Sequence, residues 1–213
     1  GAGRRLRLLL FGAAAGLLAL APRAWRAWTA ARTPVLAFHP PLIEPAGLGL
    51  RDGDLVSLDA ARGLLFRLNR DDLSVREVER FDAKRADALA WAQGELWTAD
   101  LASGLIRRHA PGAGKPVVQQ SEDPYRSPSS LSASGSSLWV LDAAAGNLDE
   151  YERGPSLKLS RRYPIDGFPA TIVAVEGEDV WAVDALSRTL KRYRLQESGK
   201  LVETGSWALE GRL

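Results

Sequence analysis

The chain has 213 residues, with 28 lysines and arginines against 26 aspartates and glutamates. It contains no cysteine, which excludes disulfide bonds and cysteine-ligated metal sites, and its two histidines, His39 and His109, are too few for a histidine-rich metal site. Residues 1–34 hold six arginines and no acid, which leaves 22 basic and 26 acidic residues elsewhere, a net charge of −4 that argues against a nucleic-acid partner.

The first predicted element is a membrane segment at residues 1–33. Three arginines precede an uncharged run at 8–21, whose fourteen residues suit a signal peptide and fall short of the roughly 20 that span a bilayer comfortably. Because Pro22 follows the best small-residue cleavage site, we favour an uncleaved anchor and keep a cleaved signal as the alternative. An anchor of this orientation places the remaining chain on the periplasmic side of a bacterial inner membrane. Four residues are expected at the membrane interface: Arg23, Trp25, Arg26 and Trp28.

A repeated segment fills the rest of the chain. Four stretches, 53–59, 94–100, 136–142 and 178–184, share an apolar strand that ends in aspartate, and the aspartates are spaced by 41, 42 and 42 residues. A fixed period of roughly 40–45 residues built from short strands is typical of propeller blades. The sequence therefore predicts a propeller domain at 34–213, with blades at about 45–81, 88–120, 129–165 and 170–208.

Each repeat contains four predicted strands whose polarity increases along the unit. The first two are apolar, the third alternates apolar and charged residues, and the fourth is the most polar, as in 75–81 and 157–163. Inner strands of a radial blade are covered by neighbouring blades, whereas the outer strand meets solvent and needs charges against edge pairing. We therefore predict an all-β protein, a β-propeller of four-stranded antiparallel blades.

Two stretches, Pro128–Asp142 and Pro169–Asp184, combine Pro-x-x-Leu/Ile with a block that ends in Leu/Val-Trp-x-x-Asp. Over residues 35–213 the chain resembles the six-bladed propeller superfamily of NHL-repeat proteins, gluconolactonases and strictosidine-synthase-like proteins. The resemblance implies six blades, whereas four repeats are visible. Further blades beyond Leu213, two joined chains, or a tight four-bladed ring would each account for the difference. We favour a partial or complemented ring, in which the first and last blades each expose an apolar sheet face that another chain, a second copy or further residues would cover.

Two sets of repeated residues are interpreted as structural. An aspartate that ends a strand commonly accepts backbone N–H bonds in the following turn, and a catalytic residue would break the repeat. The tryptophans at one repeat position are expected to be buried between blades. The structural residues are Asp59, Asp100, Asp142, Asp184, Trp97, Trp139 and Trp181.

Candidate binding residues lie in the connections that lead into the first strand of each repeat, since functional residues concentrate in loops. The connection with the most charged and polar side chains is 121–128, Ser-Glu-Asp-Pro-Tyr-Arg-Ser-Pro. The candidates for a ligand or partner face are Glu122, Asp123, Tyr125, Arg126, Lys84, Arg85 and Asp166.

No catalytic set and no cofactor are predicted from the residues. The resemblance implies a calcium site of Glu, Asn and Asp ligands in some relatives, but Asn69 and Asn147 do not begin a first strand. The segment 110–116 lacks the spacing of a phosphate-binding loop.

Our functional hypothesis is a non-catalytic, membrane-tethered scaffold that binds other protein subunits or a second copy of itself. The alternative is a hydrolase or lactonase of the gluconolactonase or strictosidine-synthase type, with a metal such as calcium in the channel.

Overall fold

The computed structural model describes residues 41–81, 86–109, 117–119, 127–165, 170–184 and 186–209, with the backbone path only at 117–119. The predicted anchor at residues 1–33, with its interface residues Arg23, Trp25, Arg26 and Trp28, lies outside these ranges. Among the described residues, no helix is long and apolar enough to cross a membrane.

The described residues form four antiparallel sheets of four strands, and in each sheet the strands follow chain order. Blade 1 contains β1 (Gly49–Arg51), β2 (Asp54–Asp59), β3 (Leu64–Leu68) and β4 (Val75–Arg80). Blade 2 contains β5 (Ala88–Ala92), β6 (Glu95–Asp100), β7 (Leu105–His109) and β8 (Val117–Gln119). Blade 3 contains β9 (Pro128–Ser134), β10 (Ser137–Asp142), β11 (Asn147–Glu152) and β12 (Lys158–Pro164). Blade 4 contains β13 (Ile172–Glu176), β14 (Asp179–Asp184), β15 (Thr189–Leu195) and β16 (Leu201–Ala208). The prediction of an all-β protein with four-stranded antiparallel blades is confirmed.

Tight hairpins join the first and second strands of the blades. In blade 1 the turn residues Asp52 and Gly53 have φ of 52° and 85°, and in blade 2 Gln93 and Gly94 have φ of 49° and 80°. Positive φ at both central residues is the requirement of a type I′ turn, whose twist matches that of the flanking strands. These turns fix the register in which each inner strand pairs with the second strand.

Burial decreases from the second strand of a blade to the outer strand. Every residue of β2 except one is buried, whereas all six residues of β4 are exposed. The outer strand β12 is exposed except at Tyr163. This gradient is the one that the increasing polarity of each repeat predicts.

The core consists of three apolar clusters, each between two consecutive blades. We call the sheet face that packs on the next blade the forward face, and the face that packs on the preceding blade the rear face. Between blades 3 and 4, the forward face supplies Trp139, Leu141, Leu148 and Tyr163, and the rear face supplies Val173, Val175, Val180, Ala182 and Tyr193. The same interface is therefore built three times within the chain.

Candidate functional site

The four inner strands β1, β5, β9 and β13 surround a central groove of about 600 Å³. Inner strands of consecutive blades pack directly on one another. The lining is mainly apolar, and Trp91 is its largest side chain. The polar side chains that line it are Ser132, Ser134 and Glu176.

Small residues on the forward face of the inner strands allow this close approach. A Cβ atom added to Gly49 would lie 3.2 Å from Trp91 of the next blade, so a larger residue would push the two strands apart. Blade 4 departs from the pattern because a large aliphatic residue stands at the first position. The equivalent positions hold Gly47 and Gly49 in blade 1, Ala88 and Ala90 in blade 2, Ser130 and Ser132 in blade 3, and Ile172 and Ala174 in blade 4.

A row of serine hydroxyls joins β9 to β13. The backbone N–H groups of β13 that point away from β14 would otherwise have no ladder partner at this sheet edge. Three of these edge N–H groups donate to serine side chains. The bonds run from Val173 N to Ser130 Oγ (3.1 Å), from Val175 N to Ser132 Oγ (2.9 Å) and from Gly177 N to Ser134 Oγ (3.2 Å). Our sequence analysis missed this contact, although the alternating serines at 130, 132 and 134 were its signal.

The forward face of blade 4 repeats the aromatic pair of blade 3. Trp139 packs on Tyr163 with ring centroids 5.6 Å apart, and both are buried under blade 4. At the matching positions, Trp181 stacks on Trp207 at 5.8 Å, yet Trp207 is 47% exposed and Trp181 is half-buried. Trp97 and Trp139 are buried between blades, whereas Trp181 is only partly buried, because no described blade packs on its sheet face.

The exposed part of this forward face extends to the inner strand of blade 4. Ile172 is 56% exposed, and Ala174 and Glu176 on the same side of β13 are also exposed. The residues between them, Val173 and Val175, face blade 3 and are buried. Blade 4 is thus packed on one side and open on the other.

The rear face of blade 1 is exposed at its inner edge. Leu48 is 60% exposed and Leu50 is 55% exposed, whereas the equivalent residues of blade 4, Val173 and Val175, are buried. The first and last blades together therefore present two uncovered apolar edges among the described residues. Such contiguous apolar exposure marks an interaction surface more often than single exposed residues do.

The four repeated aspartates are buried and bind the turns that follow them. Asp100 accepts hydrogen bonds from the N–H groups of Ala102 (3.0 Å) and Ser103 (3.1 Å), and Asp142 accepts one from Ala145 (3.0 Å). Asp184 likewise accepts from Leu186 N at 2.9 Å. These are the contacts of aspartates that shape a turn.

Hydrogen bonding keeps two of these aspartates ionised despite their burial. Burial acts to raise the pKa of Asp59, but hydrogen bonds from Ile43 N–H and from Arg62 outweigh it, so the pKa lies below its ordinary value. Burial also acts to raise the pKa of Asp100, and hydrogen bonds from the turn after it lower the pKa on balance. Neither carboxyl is poised near neutral pH, where a general acid or base would be.

In blades 1, 2 and 4, ion pairs at one repeat position join the second strand to the third strand. Asp54 accepts from Arg67 Nε at 2.7 Å in blade 1, and Arg192 pairs with Asp179 in blade 4. The corresponding Glu95 in blade 2 lies 3.5 Å from Arg108 Nε. The acidic groups in these pairs are thus held by basic partners within their own blade.

His109 is buried in blade 2, and its ring is surrounded by neighbouring side chains. Its Nε2 shares a hydrogen bond of 2.8 Å with Thr98 Oγ1, and its ring lies 4.6 Å from the ring of Phe81. Burial, together with the positive charge of Arg107, lowers the pKa of His109 to about 4. The imidazole is therefore neutral at pH 7, and it lines no part of the central groove.

The predicted ligand-face residues lie outside the described ranges, and they stay predictions. They are Glu122, Asp123, Tyr125, Arg126, Lys84, Arg85 and Asp166. Among the described residues, no three His, Cys, Asp or Glu side chains are grouped in a way that could hold a metal ion.

No protein-family model and no curated protein matches the chain. Solved structures do resemble it. A streptogramin B lyase structure aligns with a TM-score of 0.54 at 13% identity, over 81% of this chain and 57% of that one. The glutaminyl cyclase of Myxococcus xanthus aligns at 0.58 and 16%, over 79% and 74% of the two chains. A nidogen/laminin complex aligns at 0.57 and 16%, over 83% and 68%.

The likeness to these structures concerns the fold. The described residues form a four-blade β-propeller. The chain spans little more than half of the lyase structure, so that protein's activity is not carried over by the alignment.

Proposed function

We propose that the chain is a non-catalytic protein-interaction module in which the forward face of blade 4 binds another protein. The observation that carries the proposal is the open forward face of blade 4, where Trp181 and Trp207 repeat the aromatic pair that is buried between blades 3 and 4, and where Ile172 is 56% exposed. A sheet face of this kind costs free energy while it is exposed to water, roughly 25 cal/mol per Å² of apolar area. A protein partner that covers it removes that cost.

The proposal includes the membrane tether. It rests on the basic residues before the uncharged run 8–21 and on the tryptophans and arginines that follow the run. In this arrangement the propeller lies on the periplasmic side of a bacterial inner membrane and serves as a subunit of a membrane-associated assembly.

Photo-cross-linking in the source cells tests the binding face. A photoreactive phenylalanine at position 172 or 207 of the full chain is expected to give discrete adducts with protein, because both side chains lie in the proposed contact. The matched control is position 78, since Val78 is 47% exposed on the outer strand of blade 1 and away from this face. Adducts at all three positions, or at none of them, would contradict the proposal.

Carbonate extraction of membranes tests the tether separately. The full chain is expected to remain in the membrane pellet at alkaline pH. Its complete recovery in the supernatant would show that residues 1–33 do not anchor it.

A further inference from the structure

We infer that a second copy of this chain binds the outer edge of blade 4 and forms a symmetric dimer. The two copies pair their β16 strands antiparallel, so that the two four-stranded sheets join edge to edge. Ile172 lies on the inner strand at the other side of this sheet. The inference therefore concerns a second surface and goes beyond the proposed function.

The edge of β16 is exposed and nearly free of charge. Six of its eight residues are exposed, and Glu203 is the single charged residue in the strand. Outer strands usually carry charges or proline, which oppose pairing with another chain. The outer strand β4 has four charged residues among six, and β12 has three basic residues and ends at Pro164. The protection present on β4 and β12 is therefore lacking on β16.

The strand register determines which backbone groups of β16 point outward. Leu195 N–H donates to Glu178 C=O at 2.8 Å, so Leu195 and alternate residues of β15 point towards β14. Residues that lie opposite each other in an antiparallel pair point either towards each other or away from each other. The partners of these β15 residues therefore turn their N–H and C=O groups away from the blade. They are Leu201, Glu203, Ser206 and Ala208.

These outward residues match one another about the midpoint of the strand. When two copies of β16 run antiparallel about that midpoint, Ser206 lies opposite Glu203 of the second copy, and Ala208 lies opposite Leu201. Each such pair exchanges two N–H···O bonds. The match depends on the β-bulge at Thr204, which shifts the alternation by one residue so that outward groups meet outward groups.

The same register places exposed apolar side chains in contact. Val202 is 40% exposed and Trp207 is 47% exposed, and each lies opposite the other across the dimer axis. Cross-strand pairs of an aromatic and a β-branched residue stabilise antiparallel sheets. Both side chains therefore lose exposed apolar area when the dimer forms.

The charges near the axis are complementary between the copies. Lys191 Nζ lies 2.8 Å from Glu203 Oε2 within each chain. Lys191 also pairs with Ser206 in the strand register, so its row is the one that Glu203 of the second copy joins. Each carboxylate then lies between two lysines, and no two like charges lie opposite each other. This complementarity favours a second copy as the occupant of the edge, and such a contact closes at two copies.

Light scattering after size exclusion tests the assembly, using the full chain in a mild detergent. The wild type is expected at twice the mass of one chain. Ser206→Pro removes an outward N–H and no bond to β15, so this variant is expected at half the wild-type mass. Val78→Pro is the matched control, because Val78 holds the equivalent outward position on β4, and it is expected to remain dimeric. A monomeric wild type, or equal masses for the two variants, would overturn the inference.

Cysteine cross-linking tests the register and leaves the backbone bonds intact. The chain has no cysteine of its own, so Val202→Cys and Trp207→Cys can be introduced singly into chains with different tags. Opposed residues of this type have Cα atoms about 4.5 Å apart, a distance that a disulfide can span. Oxidation of the mixture is expected to join the two tags, whereas Val202→Cys mixed with Val78→Cys yields no such product. Cross-linking no better than that control would overturn the inference.

Failure of the dimer and failure of the proposed function can be distinguished. A chain that is monomeric but still gives photo-adducts with another protein at position 172 retains the forward-face function and lacks the dimer. A dimeric chain without adducts at position 172 has the β16 contact and lacks a partner for the forward face.

Discussion

At the scale of single residues, burial in this fold depends on the neighbouring blade as much as on the side chain. Trp97 and Trp139 are 0% and 4% exposed, because blades 3 and 4 cover them. Trp181 occupies the same repeat position, and its covering residue is Trp207 from its own blade. Its ring also lies 5.3 Å from the Arg192 guanidinium. Tryptophans at the same repeat position therefore contribute differently to the stability of the fold.

The tryptophan contrast leads to a stability prediction. Trp139→Ala removes a large buried side chain and leaves a cavity, so it is expected to lower the free energy of unfolding by about 3–5 kcal/mol. Trp181→Ala loses only a partly buried stack and is expected to cost about 1–2 kcal/mol. Urea denaturation of both variants measures the difference. Equal costs would show that Trp181 is covered within a single chain.

His109 gives a pH dependence with a defined sign. Its pKa of about 4 in the folded protein lies below the ordinary value of 6.5, so the unfolded chain binds a proton first as the pH falls. Stability is therefore lost from about pH 6.5 downwards until the folded pKa is reached. Between pH 7 and pH 5 this residue is expected to account for a loss of about 2 kcal/mol.

The His109→Gln variant is the control for that prediction. Glutamine retains a polar group that can reach the Thr98 hydroxyl, and it does not titrate in this range. The difference in unfolding free energy between pH 7 and pH 5 is expected to shrink by the same amount in the variant. An unchanged pH profile would mean that His109 takes up a proton as easily in the folded protein as in the unfolded chain.

At the scale of elements, the row of serines on β9 fixes one blade against the next. Val175 N–H is held by Ser132 Oγ in a partly buried position, whereas Gly177 N–H is held by Ser134 Oγ at the exposed end of the strand. Hydrogen bonds of the same type along the row therefore contribute differently to stability. A buried donor that loses its acceptor pays the desolvation cost, while an exposed donor turns to water.

A pair of serine substitutions tests this difference. Ser132→Ala is expected to cost about 1–3 kcal/mol and to speed hydrogen exchange at the Val175 amide, since that N–H loses its acceptor. Ser134→Ala, the matched control, is expected to cost less than about 1 kcal/mol. Urea unfolding and amide exchange by NMR provide the two readouts. Similar costs for both would contradict the role of burial in this row.

The strands could be predicted well from the sequence, because local alternation and turn residues determine them. The outer strands expected at 75–81 and 157–163 are observed as β4 (Val75–Arg80) and β12 (Lys158–Pro164). That Tyr163 in blade 3 and Trp207 in blade 4 occupy equivalent positions could not be predicted in this way. These two residues are 44 residues apart while the aspartates are 42 apart, so a repeat alignment places them out of register.

At the scale of the whole molecule, the propeller is a row of blades in which each blade contacts its sequence neighbours. Blades 2 and 3 have both faces covered, and blades 1 and 4 each have an apolar edge exposed among the described residues. In an array of this kind, stability is approximately the sum of the blades' own stabilities and the terms between neighbours. Blade 4 lacks one such term on its forward face, so it is expected to open more readily than blades 2 and 3.

Amide hydrogen exchange measured along the chain tests this distribution. Protection is expected to be greatest in β6 and β10 and clearly lower in β14, because β14 has neighbours on only one face. Equal protection of β10 and β14 would mean that the open face carries no energetic cost, which would remove the physical basis for a partner there.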